Sequence, residues 1–442
     1  MGGVSMRVRF ALLAGVAMSA VGLSAFSEAA FAQSPTQRPM PPQAVEGWAP
    51  TTPQSATTKP AADPWEQFNP VTPGIQVGAV TVLPSVTAAA FYDDNVFASS
   101  ANRQGSWGGI VRPELALVTA GSNYTLETRG YVERKWYSRF SGEDQTNGGV
   151  GIAGTVMPDP DTQLVGKVRY LRSHEDRGGG ESQINAFDQP VGSNTWEASG
   201  AINKRYGRVW SSVGLAGSWY NYDTPTIGGV PFSQSYRDGN VGVLSGRLGY
   251  VAAPLTSVFV EVAGNRRNWD VDIYDSRGYR IVGGVLLEPG QGSRVRGEAF
   301  AGYMNQNYNG VTFETISTFT YGGSLAYLLA PRWTAVAEGR RNALESKLNG
   351  GVSLIESLIA GRLDYAVTSN LIVGAGASYL VDEFKGAGRT DHALSPLVSV
   401  KYLVNPNLTL GFDYRNVTFD SGGTGVPSYY RNVYLFSLNA RL

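Results

Sequence analysis

The chain contains no cysteine and only two histidines, His174 and His392, among its 442 residues. Without cysteine there are no disulfides, thiolate metal sites, thiol nucleophiles or lipid-modified amino-terminal cysteine. Charge of one sign is also missing, with 36 Lys and Arg against 36 Asp and Glu. That balance excludes the basic footprint through which proteins usually hold nucleic acid. Beyond the amino terminus no apolar run approaches the roughly 18 residues of a membrane-spanning helix. No HExxH, P-loop or G-x-S-x-G arrangement occurs, so the usual signatures of metalloprotease, nucleotide and esterase chemistry are absent.

What is present begins with a secretory signal. Arg7 and Arg9 precede an apolar stretch from Phe10 to Phe26, and Ala30-Phe31-Ala32 fits small-x-small cleavage, with residues 1–32 removed. A membrane anchor is the alternative, but Gly and Ser interrupt the apolar core. Residues 33–83 are read as a Pro-rich periplasmic linker, too poor in apolar side chains to offset the entropy of ordering. Trp65 and Phe68 form an aromatic island within it, either for docking or incidental.

From residue 84 to 442 the chain reads as an all-β, transmembrane antiparallel barrel of about eighteen strands. The last stretch, Val433 to Leu442, shows why. Tyr434, Phe436, Leu438, Ala440 and Leu442 alternate with Val433, Leu435, Ser437, Asn439 and Arg441. Side chains alternate across a strand, so one face is wholly apolar. Tyr434, Phe436, Leu438 and Leu442 are the expected signal to the barrel assembly machinery. The expected strands are 84–97, 105–119, 122–139, 145–157, 162–175, 194–207, 209–222, 237–252, 255–269, 276–288, 292–306, 315–330, 332–345, 351–366, 369–383, 390–404, 407–419 and 429–442. Short turns alternate with longer loops rich in Gly, Asn, Asp and Ser. In an outer-membrane barrel the short turns are periplasmic, which puts both termini in the periplasm. Aromatics near strand ends suggest two interfacial girdles. The outer set is Trp136, Tyr137, Tyr220, Tyr222, Trp269, Tyr274, Tyr303, Tyr308, Phe384 and Phe419. The inner set is Trp210, Tyr250, Tyr327, Trp333, Tyr365 and Tyr402.

No residue set converges on catalysis, and no cofactor or metal is expected. Ser173 and His174, in Ser173-His174-Glu175-Asp176, fall on opposite strand faces. Tyr92-Asp93-Asp94-Asn95 offers too few of the roughly six to eight oxygens that calcium takes, so a hydrogen-bonded strand exit is the preferred reading.

The face opposite the apolar stripe carries Glu127, Arg129, Glu133 and Lys135, then Lys167 and Arg169, then Arg294, Arg296 and Glu298. Glu338 and Arg340 follow, with Glu356, Arg362 and Asp364, and finally Asp413 and Arg415. So much charge requires water or pairing. A barrel of about 16 to 18 strands leaves an aqueous channel. These residues are therefore lumen candidates, either for passage of something polar or as paired charges that stiffen the wall. A pore blocked by loop 176–193 or 223–236 is a further possibility.

Ala90-Phe91-Tyr92-Asp93-Asp94-Asn95-Val96-Phe97-Ala98 resembles the first-strand signature of the putative beta-barrel porins of the second type. Ser173-His174-Glu175-Asp176-Arg177-Gly178, Gly297-Glu298-Ala299-Phe300-Ala301-Gly302-Tyr303 and Asn405-Pro406-Asn407-Leu408-Thr409-Leu410-Gly411 also resemble that family. The resemblance implies an outer-membrane barrel surrounded by lipid, often associated with exopolysaccharide or capsule export, with a periplasmic export protein as partner. It carries no catalytic residues. The terminal Leu442 departs from the Phe or Trp that closes many barrels. A general diffusion porin for small polar solutes is the alternative reading.

Overall fold

The structure is a computed structural model that describes residues 74–178, 187–288, 293–347, 351–423 and 428–442. The expected signal peptide, most of the linker and the Trp65 island lie outside these residues.

The described chain is a closed antiparallel barrel of eighteen strands. In chain order they are β1 (Val80–Asp93), β2 (Ser106–Ala120), β3 (Tyr124–Tyr137), β4 (Gln145–Asp159), β5 (Thr162–His174) and β6 (Gly192–Tyr206). Next come β7 (Val209–Tyr222), β8 (Gly239–Ala253), β9 (Thr256–Trp269), β10 (Ser276–Leu287), β11 (Val295–Tyr308) and β12 (Ile316–Ala330). The circuit ends with β13 (Trp333–Ser346), β14 (Val352–Ala366), β15 (Leu371–Phe384), β16 (Arg389–Asn405), β17 (Leu408–Ser421) and β18 (Tyr429–Arg441). Each strand pairs with its chain neighbours. Closure comes from β1 against β18, in register from Ser85↔Arg441 to Asp93↔Val433. A closed sheet is one of the two structures that can cross lipid, because every backbone polar group finds a partner inside the wall.

The first strand starts at Val80, four residues before the expected boundary, and Ile75–Val77 folds back to pair with Val80–Val82. Residues 75–83, expected in the linker, therefore belong to the wall. Pro84 misleads here, because proline suggests an end to pairing; yet it stands opposite Leu115 inside the β1–β2 ladder.

One face of every strand presents large apolar side chains outward, such as Val213 and Leu215 on β7, Val260 and Val262 on β9, and Phe436 and Leu438 on β18. A water-soluble protein leaves no such continuous belt. At one end the strands join through tight turns, such as Gly207–Arg208 and Pro254–Leu255. At the other, longer connections rise, and β1 begins and β18 ends at the tight-turn end.

The girdle expectation needs correction. Of the outer set, Trp136 and Tyr303 face outward and are exposed. Tyr137, Tyr220, Tyr222, Tyr274, Phe384 and Phe419 are buried in the barrel interior. Trp269 and Tyr308 pack against interior clusters too. In the inner set Trp210 is completely buried, whereas Tyr250, Tyr327, Trp333 and Tyr402 are exposed. Position along a strand sets height, but the parity of the residue sets its face, and these rings have the inward parity.

Candidate functional site: a charged and partly filled lumen

The lumen side chains fall into two sectors. The first runs over β2–β6 and is wet. Arg129 bridges Glu114 at 2.7 Å and Glu127 at 2.9 Å, and Arg112 reaches Glu114 at 3.4 Å and Glu133 at 3.8 Å. These groups keep open surface, 39% for the Arg129 side chain. Lys167 is exposed on the same inner face, and Arg169 pairs with Glu197 of β6. On the other side of the seam, Arg340 binds Glu356 at 3.1 Å and lies 3.7 Å from Glu338. Arg362 binds Asp364 at 2.8 Å and donates to Ser399 Oγ at 2.6 Å. Ser399 pairs with Asp413 across the β16–β17 ladder. Arg415 lies two residues further along the same face of β17.

The second sector, over β7–β11, is dry. Trp210, Phe259, Val282, Leu286 and Phe300 form one apolar cluster. Glu261 is fully buried above it, held by Arg247 and, at 2.7 Å, by Arg280. Arg247 also binds Glu298 at 2.9 Å. The two guanidiniums stack on Phe259 and Phe300 at 4.8 and 4.9 Å from the ring centres. Stacking and multiple carboxylates compensate for the water these charges have lost.

Most expected lumen residues therefore have the inward parity: Glu127, Arg129, Glu133, Lys167, Arg169, Arg296, Glu298, Glu338, Arg340, Glu356, Arg362, Asp364, Asp413 and Arg415. Arg294 shares the parity of Arg296 and Glu298 but sits at an exposed bend just before β11 begins at Val295. Arg112, Glu114, Glu197, Arg247, Glu261, Arg267 and Arg280 were not among the candidates. The alternation that marks Glu127 and Arg129 marks these residues equally. What the sequence does not reveal is which charges meet.

The long-loop end is crossed by the segment after β5. Glu175 accepts from Arg237, near the start of β8, at 3.2 Å. Asp176 lies 3.6 Å from Lys135 of β3. Arg177 Nε donates to Glu143 at 2.8 Å and its Nη1 to the Phe187 carbonyl at 2.8 Å. Tyr429 of β18 donates its hydroxyl to the Gly178 carbonyl at 3.3 Å. β18 is five wall positions from β5, so this last contact runs through the interior. Gly178 has φ +81°, and a Cβ there would stand 2.5 Å from the Ala98 Cβ. Beyond the segment, Phe187 and Val191 fill the inner face against Tyr220, Tyr222 and Val241. Burial opposes charge on Asp176, but Lys135, Arg431 and Arg415 outweigh it and hold its carboxyl below the usual carboxylate range. Beside this segment His174 Nδ1 lies 2.9 Å from Asn147 Oδ1, and His392 Nδ1 lies 2.8 Å from the Tyr379 hydroxyl.

The first-strand motif is a lock. Asp93 binds Arg431, and Asp94 accepts from the Asn432 amide side chain at 2.8 Å and from its backbone N–H at 2.7 Å. Asn95 donates to the Ser99 and Tyr430 carbonyls at 2.8 and 2.9 Å. Both carboxylates are engaged with protein groups, as a strand exit requires. Among the described residues no cluster of three metal-ligating side chains occurs.

Several solved barrels share parts of this architecture. Pseudomonas aeruginosa OccK5 (OpdH) is 14% identical, with TM-score 0.41 over 82% of this chain and 98% of that one. Pseudomonas aeruginosa OpdQ is 12% identical, with TM-score 0.45 over 83% and 100%. The copper transporter OprC is 10% identical, with TM-score 0.44 over 84% and 81%. No curated protein is detectably similar in sequence. The profile described as "Putative beta-barrel porin 2" matches residues 68–442. With a closed lipid-faced wall around a charged interior, the chain belongs to that family of outer-membrane porin-like β-barrels.

Proposed function

We propose that this barrel is a narrow passive channel for small polar solutes, with the tight turns and both termini in the periplasm. The observation that carries the reading is the wet sector. Arg112, Glu114, Glu127, Arg129 and Glu133 form a mixed-sign ladder that keeps partial solvent access along β2 and β3. Mixed charge hydrates a path without strongly favouring either ion sign. The crossing segment 175–178 narrows the outer end, which fits small solutes better than a wide conduit. Planar-bilayer recordings of the purified barrel, with liposome swelling in sugars of rising size, test this. Stable conductance with a sharp size cut-off is expected, and an ion-impermeable folded barrel would refute it.

Exopolysaccharide export is the second reading and rests on the family resemblance. It calls for a periplasmic export partner, reached through residues 33–80 or the tight turns, and for displacement of the crossing segment. A clean deletion strain that loses surface polysaccharide, restored by complementation, would support it. Unchanged polysaccharide would set it aside. In either reading the exposed stripe Tyr434, Phe436, Leu438 and Leu442 is the surface offered to the assembly machinery and then to lipid.

A further inference from the structure

One ladder of the wall stops well short of its outer end. The β12–β13 ladder runs from Ala330↔Trp333 to Gly322↔Arg340 and ends there. Both strands continue, β12 down to Ile316 and β13 up to Ser346. Their other neighbours follow them all the way, β11 to Gln306↔Ile316 and β14 to Ser346↔Val352. The barrel therefore forks between β12 and β13, where the upper part of β13 is a free edge, while β14 stays laddered to β15 up to Leu354↔Phe384.

The hairpin has moved inward. Ala343 and Ile355 are cross-strand partners whose parity would turn them to lipid. They are instead 5% and 2% exposed, packed with Met304 and Ile316 on the inner face of β11 and β12. The inward-pointing Thr320 hydroxyl donates to the Arg341 carbonyl at 2.7 Å. Arg267 of β9 donates to the Ala343 carbonyl at 2.8 Å and pairs with Glu345. Tyr308 donates to the Leu344 carbonyl at 2.7 Å. At the tip, the Lys347 ammonium sits 2.8 Å from the centre of a Trp269 ring and 3.4 Å from the Arg237 carbonyl. Side chains of β12 and β9 thus satisfy the Arg341 and Ala343 carbonyls, which face the side where the β12 ladder is missing.

The fork is placed at glycines. Gly322 and Gly323 lie at the last β12 pairs and Gly339 beside the last β13 pair. Gly323 has φ +138°, and a Cβ there would be 2.2 Å from the Glu298 carbonyl oxygen. Chain that bends this sharply needs residues without a Cβ.

The two free stretches are matched. Extending the register beyond Gly322↔Arg340 would set Thr320 against Asn342, Thr318 against Leu344 and Ile316 against Ser346, with no residue left over. We propose that the β13–β14 hairpin is a gate with two positions. In the tucked position, seen here, it occupies the lumen and is latched by Arg267–Glu345 and Lys347. In the zipped position it completes the wall and withdraws Glu345 and Lys347 from the interior. In the zipped position, ladder bonds in the wall would replace the side-chain bonds given up, and an open sheet edge would be removed. The consequence for conductance rests on the channel reading above, whereas the movement does not.

The absence of cysteine makes the test clean. Thr318→Cys with Leu344→Cys should form a bond only when zipped, because the two positions face each other only if the ladder extends beyond Gly322↔Arg340. Ile316→Cys with Ser346→Cys is a second pair that spares the cluster of Leu344, Leu354 and Phe384. Heat-dependent gel mobility reports folding, and the bond is read by mass with and without reductant, directly or through a short bis-thiosulfonate. We expect bonding in folded barrels, severalfold higher conductance after oxidation, and reversal on reduction. Glu345→Gln should speed bonding by removing the latch. No bond in either pair, direct or bridged, overturns the gate. A bond without a change in an existing conductance overturns it equally. A bond with no conductance in any state removes the channel reading, and the gate with it, while leaving the movement established.

Discussion

Asp93, the last residue of β1, and Arg431, near the start of β18, form a buried ion pair across the seam where the barrel closes, with Arg431 Nε 3.0 Å from Asp93 Oδ1. The pair is separated by 338 residues of chain, and Asp93 has no exposed surface. Asp93→Ala would leave the guanidinium buried without its main partner, a loss of about 3–5 kcal/mol. Urea unfolding of the refolded barrel, followed by heat-dependent gel mobility, should show that loss. Asp93→Asn, which retains an acceptor, should lose less. Equal stability of Asp93→Ala and the parent would show that the seam does not depend on the pair.

The crossing segment carries a pH response with a defined sign. The Asp176 carboxyl is held below its usual range in the folded protein by Lys135, Arg431 and Arg415. Its contribution is therefore complete above the unfolded value of about 3.9. It is lost only as pH falls further, through the lowered folded value. Protection of the backbone around residues 175–178 from hydrogen exchange should stay constant from neutral pH to about pH 5 and fall below pH 4. Asp176→Asn should show weakened protection already at neutral pH.

Gly178 is the residue that lets the segment reach Tyr429. Alanine there would adopt a left-handed conformation at a cost of about 1–2 kcal/mol, besides meeting the Ala98 Cβ at 2.5 Å. Gly178→Ala should displace the segment and raise conductance, with little change in barrel unfolding. Unchanged conductance would mean that the segment does not limit flow.

In the wet sector, Glu114→Gln removes the carboxylate shared by Arg112 and Arg129. The groups are partly exposed, so stability should change by no more than about 1 kcal/mol. Ion selectivity should move toward anions, read as a shifted reversal potential in a salt gradient that shrinks at high ionic strength. An unshifted potential would place the ion path elsewhere in the lumen.

Alternation made much of the wall legible. The segment 209–222 was expected and found as Val209–Tyr222, and 429–442 as Tyr429–Arg441, because a strand with one face in lipid must repeat with period two. The inward set containing Glu127, Arg129, Glu338 and Arg362 followed from the same rule. Height along a strand does not fix the face of an aromatic such as Trp210, Tyr220 or Phe419. Their parity, already present in the sequence, turns them inward. In Ser173-His174-Glu175-Asp176-Arg177-Gly178, strand parity separates Ser173 from His174 but does not say where the charges go. Those charges find Lys135, Glu143 and Arg237 across the lumen.

By itself the sequence determined that the chain is a lipid-faced barrel and the inward or outward parity of most wall residues, since both depend only on local period and composition. Tertiary structure alone decided which inward charges meet, which sector is dry, which segment crosses the lumen, and where the β12–β13 ladder stops. Those outcomes depend on contacts between strands far apart in the chain, and no local pattern records how a closed wall brings them together.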